Sequence, residues 1–216
     1  MVQRHPIIAI DGPAAAGKGT LARRLAEHLD YAYLDTGALY RGVALQVVRS
    51  GGEPGIMADA IAAARALNPS TIDKQAIRTA EIGAAAAKVA AMGEVRSEIL
   101  DLQRRFAANP PDGRNGAVLD GRDIGTVVCP DADHKVFVTA SAEIRAHRRW
   151  LELREKNPQL SESRVLADLK ERDRLDAERP IAPLKPAEDA LLLDTTELSI
   201  EEAFETALAL MNEQKA

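Results

Sequence analysis

The sequence predicts an α/β protein with a five-stranded parallel sheet flanked by helices. Five short apolar runs, at residues 7–10, 31–34, 117–119, 135–138 and 191–193, are each bounded by polar or turn-forming residues, as buried parallel strands are. Helical patterns lie between them, and strands alternating with helices imply parallel pairing through right-handed crossovers. Aromatic residues are only 3% of a chain that is 46% hydrophobic, so Ala, Leu, Ile and Val must build the core.

The helical segments can be justified in order. Leu21, Leu25 and Leu29 fall four residues apart, which predicts a helix over 20–29 with one buried face. Further helices are expected over 38–49, 58–67, 142–154 and 163–174. The Ala-rich stretch 79–106 reads as one long helix, because alanine has the highest helix propensity. Ser199 followed by Glu202 forms a capping-box pattern that opens the last helix. Loops are expected at 51–55, 109–116 and 179–186. The chain thus reads as a single domain, 1–216, with two excursions from the sheet at about 38–112 and about 145–185, both candidates for moving parts.

Composition excludes several function classes. Against 28 Lys plus Arg stand 33 Asp plus Glu, a net charge of -5 that argues against a generic DNA or RNA binder. Cys129 is the only cysteine, so neither an internal disulfide nor a Cys-based zinc site can form. His5, His28, His134 and His147 lack metal-ligand spacing. No apolar run approaches the roughly 18 residues that span a bilayer, and the run beginning at Ile7 ends at Asp11, too short for a signal peptide. A reduced, soluble, cytoplasmic protein without a membrane partner is expected, with a monomer as the default. Cys129 and Trp150 read as packing residues, and His147 as part of a solvated helix face.

The segment Gly12-Pro13-Ala14-Ala15-Ala16-Gly17-Lys18-Gly19-Thr20 follows a predicted strand and opens a predicted helix, the context a phosphate-binding loop requires. Small residues let backbone N–H groups curl around a polyphosphate, and the helix N-terminus adds its positive dipole. Lys18 supplies a point charge to the β- and γ-phosphates. Gly19 stands directly after the lysine and the hydroxyl comes only at Thr20, unlike the common form with Ser or Thr next to the lysine. No Asn-Lys-x-Asp sequence for reading guanine is present.

Four further blocks follow in order: Leu34-Asp35-Thr36-Gly37-Ala38-Leu39-Tyr40-Arg41; Ile77-Arg78-Thr79 with Val95-Arg96; Asp120-Gly121-Arg122-Asp123-Ile124-Gly125-Thr126; and Glu171-Arg172-Asp173-x-x-Asp176-x-x-Arg179. With the phosphate loop, this set resembles the bacterial cytidylate kinases, P-loop nucleoside monophosphate kinases, over about residues 8–208. The resemblance implies that architecture, with a helical acceptor-binding excursion and a short lid, and transfer of the γ-phosphoryl of ATP to CMP and dCMP with Mg²⁺. It implies that Lys18, Arg122, Arg148 and Arg172 serve the transfer. The acceptor nucleotide would be held by Thr36, Tyr40, Arg41, Arg96, Gly121, Arg122, Asp123, Arg172, Asp176 and Arg179. Among these, Arg41, Arg122 and Arg179 would clamp its phosphate, Asp123 with Thr36 and Arg96 would read the base, and Asp176 would take the ribose. The metal would be held by phosphates and water rather than directly, with Thr20 as the one candidate side chain.

Chemistry agrees with these residue types. The acceptor oxygen is already an anion, so the transfer needs positioning and charge neutralisation rather than a general base. Arginine stays charged and grips phosphate bidentately. A carboxylate accepts from the cytosine amino group and repels the uracil carbonyl. Two departures stand out: Ala87 replaces a serine common in the family, and segment 42–77 lacks the strand pattern of a small β-insertion found in longer relatives. UMP, AMP or a small acceptor such as shikimate, and a nucleotide-binding switch without turnover, remain alternatives. Asp120 stays open between a structural role and one near the metal.

Overall fold

The computed structural model describes residues 4–155 and 157–213. Five strands, β1 (Ile7–Asp11), β2 (Ala32–Asp35), β3 (Ala117–Gly121), β4 (His134–Thr139) and β5 (Leu191–Asp194), form one sheet in the order β2-β3-β1-β4-β5. All pairings are parallel. Helices α1 (Lys18–Leu29), α2 (Thr36–Arg49), α3 (Met57–Arg65), α4 (Ala80–Ala90), α5 (Gly93–Ala108), α6 (Ala142–Arg154), α7 (Glu162–Glu178) and α8 (Ile200–Glu213) connect and flank it.

Strand alternation sorts the core. Ile8 and Ile10 point with Val118, Val136, Val138 and Leu193 toward α1 and α8, where Leu25 and Met211 are buried. Ala9 and Leu119 point the other way, against Ala107 and Ile124. The helical excursion between β2 and β3 has a core of its own, with Leu39, Val43 and Val47 of α2 packed on Val89 of α4 and Val95 and Ile99 of α5. Segment 42–77 holds α3 and two single-turn 3-10 helices, Pro69–Thr71 and Ala76–Arg78, and no strand. At the C-terminal end, Ser199 and Glu202 cap reciprocally: each backbone N–H donates to the other's side chain.

The long helix expected over 79–106 is two helices. Met92 between them is extended (φ -85°, ψ 119°), with Ala91 closing α4. Alanine propensity favours continuation, but the break leaves the carbonyl of Ala90 free to accept from Arg96 Nη1 at 3.3 Å. A buried guanidinium is thereby anchored at the start of α5.

The neighbours β1 and β4 send their onward connections to opposite sides of the sheet. In open parallel sheets a crevice forms beyond the strand ends at such a point. Asp11, Asp35 and Asp120 end, or nearly end, β1, β2 and β3 there; Asp35 stands opposite Asp120, whereas Asp11 stands opposite Gly121 and faces the other side of the sheet.

Candidate active site

The loop from Gly12 to Gly17 leaves β1 into this crevice. At Gly12 (φ 144°) an added Cβ would lie 1.9 Å from the Val138 carbonyl oxygen, so no side chain fits. Gly17 (φ 88°) and Ala15 (φ 60°) are left-handed, which costs Ala15 about 1 kcal/mol and marks a curve held by its surroundings. Those surroundings are Arg145 Nη1, donating to the Ala14 carbonyl at 3.3 Å, and Thr195 Oγ1, donating to the Ala16 carbonyl at 3.1 Å. Lys18 folds back so that Nζ donates to the Pro13 carbonyl at 2.8 Å. Burial, reinforced by the Arg122 charge, pulls its pKa down to about 7, against the opposing pull of Asp120 and Asp11.

Across the cavity lies a network of guanidinium and carboxylate groups. Asp35 caps α2 by accepting from the Ala38 N–H at 3.0 Å, and Thr36 Oγ1 donates to the Asp120 carbonyl at 2.7 Å. Asp123 follows β3 and pairs with Arg96 Nη2; its other oxygen is 3.6 Å from Arg179 Nη2. The Arg96 guanidinium also lies 5.4 Å from the centroid of the buried Tyr40 ring. Asp176 on α7 accepts from Arg122 Nε at 2.9 Å and sits 4.0 Å from Arg172 Nε. Burial opposes the Asp176 charge, but Arg122 and Arg172 outweigh it and hold its carboxyl below the usual range. Burial and the neighbouring Arg122 bring Arg172 down to about 10. Pro180 disfavours the helical conformation at Arg179, which is extended and ends α7.

These groups line one cavity of about 350 Å³. The loop residues Ala14 to Thr20 form one wall, and Thr36, Tyr40, Arg41, Arg96, Gly121, Arg122, Asp123, Arg172, Asp176 and Arg179 form the other. Among the described residues, Arg172 Nε and Arg179 Nη2 are buried without a hydrogen-bond acceptor. Buried donors of this kind can receive an anion. The cavity thus has two places for negative charge: a backbone cradle with one lysine, and an arginine cluster opposite.

A family model for cytidylate kinase matches residues 8–213. The chain belongs to the cytidylate kinase family. Curated relatives named cytidylate kinase include one from Rhodospirillum rubrum, 55% identical over 95% of this chain and 96% of its own length. Another, from Paramagnetospirillum magneticum, is 54% identical over 97% of this chain and 99% of its own. Solved structures at 14% identity share the fold. An uncharacterized protein from Eubacterium ventriosum matches with a TM-score of 0.54 over 96% of this chain and 98% of its own. A gluconokinase from Sinorhizobium meliloti matches with 0.50 over 98% and 94%. Among the described residues, no helix is long and apolar enough to cross a membrane.

Arg148, expected from the sequence to serve the transfer, is not among the residues lining this cavity: its guanidinium donates to Thr195 Oγ1 at 3.1 Å and to the Thr195 carbonyl at 2.7 Å, tying α6 to the chain just after β5. The neighbouring Arg149 lines the cavity instead, with Nη1 2.7 Å from Glu152 Oε2 one turn on. A helix advances about 100° per residue, so adjacent arginines face different surroundings. Sequence reasoning also missed Arg23, Asp35 and Glu152 as lining residues. Asp35 carried a usable signal, since Asp before a helical run is a favoured cap. Asp120 accepts from the Tyr33 hydroxyl at 2.7 Å and lines the cavity beside Lys18. Ala86, Ala87 and Ala90 make an apolar wall near Arg96, so the missing serine hydroxyl falls within the cavity. Cys129 is buried, and Trp150 packs over the small core between α6 and α7.

Proposed function

We propose that this chain transfers the γ-phosphoryl group of ATP to CMP, and to dCMP, giving ADP and the corresponding diphosphate. The observation that carries this reading is an arginine cluster facing the phosphate loop across one cavity, in which Arg172 Nε and Arg179 Nη2 are buried with no hydrogen bond and only longer ion-pair contacts to Asp176 and Asp123. A nucleotide-binding switch needs one phosphate site, whereas a phosphotransferase between nucleotides needs two.

The donor polyphosphate lies along the loop N–H groups and the N-terminus of α1, and draws Lys18 away from the Pro13 carbonyl. Arg41, Arg122 and Arg179 clamp the acceptor phosphate, whose oxygen attacks without a general base. Arg172 and Arg149 neutralise the transferred group, with Arg149 in the role the sequence suggested for Arg148. Asp123 accepts from the cytosine amino group with Arg96 beside it, Tyr40 backs Arg96, and Asp176 takes the ribose. Movement of the α6–α7 lid and the helical excursion excludes water, which would otherwise accept the phosphoryl group.

Thr20, Asp35 and Asp120 fit a magnesium ion brought in with ATP. They are hard oxygen donors near Lys18, and Asp120 is held above the usual carboxylate range by burial and by repulsion from Asp35, which a cation would relieve. Bound there, the ion would neutralise charge on the phosphate oxygens. No three His, Cys, Asp or Glu side chains among the described residues form a chelating group, so phosphates and water would supply most ligands.

ADP release from ATP and Mg²⁺ with CMP, dCMP, UMP, AMP and shikimate in separate reactions tests this reading. Strong turnover with CMP and dCMP, and little with AMP or shikimate, is expected. Equal turnover with UMP would remove Asp123 from base selection, and the absence of any acceptor-dependent release would remove the kinase reading.

A further inference from the structure

Asp123 occupies the residue position that normally caps a helical turn. It immediately precedes the wide turn Ile124–Val128, yet its side chain makes no capping hydrogen bond to that turn. An aspartate at such a position ordinarily satisfies one of the free N–H groups that follow it. Here the carboxylate turns away, toward Arg96 and Arg179.

The missing cap comes from another strand. Asp11, the last residue of β1 and 5% exposed, points to the same side of the sheet as Ala9, toward this turn. Its Oδ1 accepts from the Ile124 N–H at 2.8 Å and its Oδ2 from the Gly125 N–H at 2.7 Å. Both leading N–H groups of the turn are thus satisfied by a residue more than a hundred positions away in sequence. That residue also directly precedes Gly12 of the phosphate loop. Gly125 packs closely here: a Cβ there would lie 3.1 Å from Lys135 Cδ and in ordinary contact, 3.5 Å, with Asp11 Oδ2.

We propose that Asp11 is a positioning residue for acceptor selection: by capping the turn in place of Asp123, it frees the Asp123 carboxylate to face the acceptor base. Without Asp11, the Ile124 and Gly125 N–H groups lose their acceptor in a buried place, and Asp123, the residue just before the turn, is the carboxylate placed to turn back to the Gly125 N–H. Turning back would break the pairing with Arg96 and Arg179 and empty the base-reading position. The proximity of the two carboxylates supports this, because Asp123 contributes to raising the Asp11 pKa to about 6, after the larger effect of burial. Their repulsion helps hold Asp123 outward.

The proposal rests on the reading that Asp123 selects the base, and the test separates the two. The measurements are kcat and KM for CMP and for UMP, and the Kd for ATP alone, in Asp11→Asn, Asp11→Ala, Asp123→Ala and the double variant Asp11→Ala/Asp123→Ala. Asp11→Ala is expected to raise the KM for CMP and lower the CMP-to-UMP preference about tenfold, the scale of one lost base contact, with the Kd for ATP within about threefold. Asp11→Asn keeps one acceptor and is expected to fall between, which preserves the test if the alanine variant folds poorly. In the Asp123→Ala background, removing Asp11 is expected to leave the preference unchanged, because there is no carboxylate left to misplace. A purely structural Asp11 would instead lower kcat, stability and both affinities equally in either background, and that result overturns the proposal. So does an unchanged CMP-to-UMP preference in both Asp11 variants while Asp123→Ala loses it. If Asp123→Ala itself keeps full preference, the base reading falls, and the proposal with it.

Discussion

The two walls of the cavity are built by different means. The donor wall is one contiguous stretch, Ala14 to Thr20, in which backbone N–H groups would do the binding and a single lysine would add charge. That lysine donates to a carbonyl at 2.8 Å, and burial brings its pKa to about 7 despite Asp120 and Asp11 nearby. The acceptor wall gathers side chains from α2, α5, α7 and the end of β3, and four of its arginines already face a carboxylate. Asp123 serves Arg96 and Arg179, and Asp176 serves Arg122 and Arg172. The contrast teaches that the donor side holds a lone cation until a polyphosphate arrives, whereas the acceptor side holds carboxylates that offset part of the desolvation of its arginines.

The largest expected effect breaks the donor side. Lys18→Met should lower kcat by about 10³-fold, the scale of losing a preorganised charge at a developing anion. Melting of the unliganded protein at pH 7 should show no loss of stability, because the substitution removes a buried cation with a depressed pKa. The sign follows from proton counts. The ordinary lysine pKa is 10.5, so between about pH 7 and 10.5 the unfolded chain binds this proton and the folded chain does not. Stability from this group is therefore present at high pH and lost as pH falls through about 7, a slope the variant should lack. ATP should restore the cation and take up protons near pH 7, measurable by calorimetry in buffers of different ionisation heat. A Tm that falls by several degrees in Lys18→Met would contradict the contrast.

A smaller effect sharpens it at the lid. Arg149→Ala should lower kcat by about 10²-fold with little change in the KM for CMP, since it removes a charge used in the transition state. Arg148→Ala should lower Tm instead, with kcat changed only a few-fold, because its two hydrogen bonds hold α6 to Thr195. Steady-state kinetics and thermal melts of both variants decide between the neighbours, and equal kinetic losses would undo the assignment.

These neighbours also show where the sequence stops being legible. The phosphate loop could be read because its chemistry is local: small residues, one lysine, and a strand-to-helix context within a dozen positions. The strands could be read for the same reason, each observed strand matching an apolar run to within one or two residues. In α6 the arginines lie among charges of both signs with no clean apolar stripe, so nothing in the pattern phases the helix and Arg148 could not be told from Arg149. The break at Met92 was hidden by alanine propensity, because its cause is tertiary: Arg96 reaches back to the Ala90 carbonyl while pairing with Asp123. The pairing network is legible as residue types but not as partners, since Arg122 and Asp176 come from distant segments joined only by the fold. Asp11 gave no sign beyond being a carboxylate at the end of a buried strand.

The separation of the two walls is tested most directly at Asp123. The measurement is kcat/KM for CMP and for UMP, with the Kd for ATP alone, in the wild-type chain and in Asp123→Ala. A carboxylate that accepts from the cytosine amino group predicts a CMP-to-UMP preference lowered by about 5- to 150-fold, equivalent to 1–3 kcal/mol, with ATP affinity nearly unchanged. An undiminished preference for CMP, or an equal loss of ATP affinity, would contradict the account.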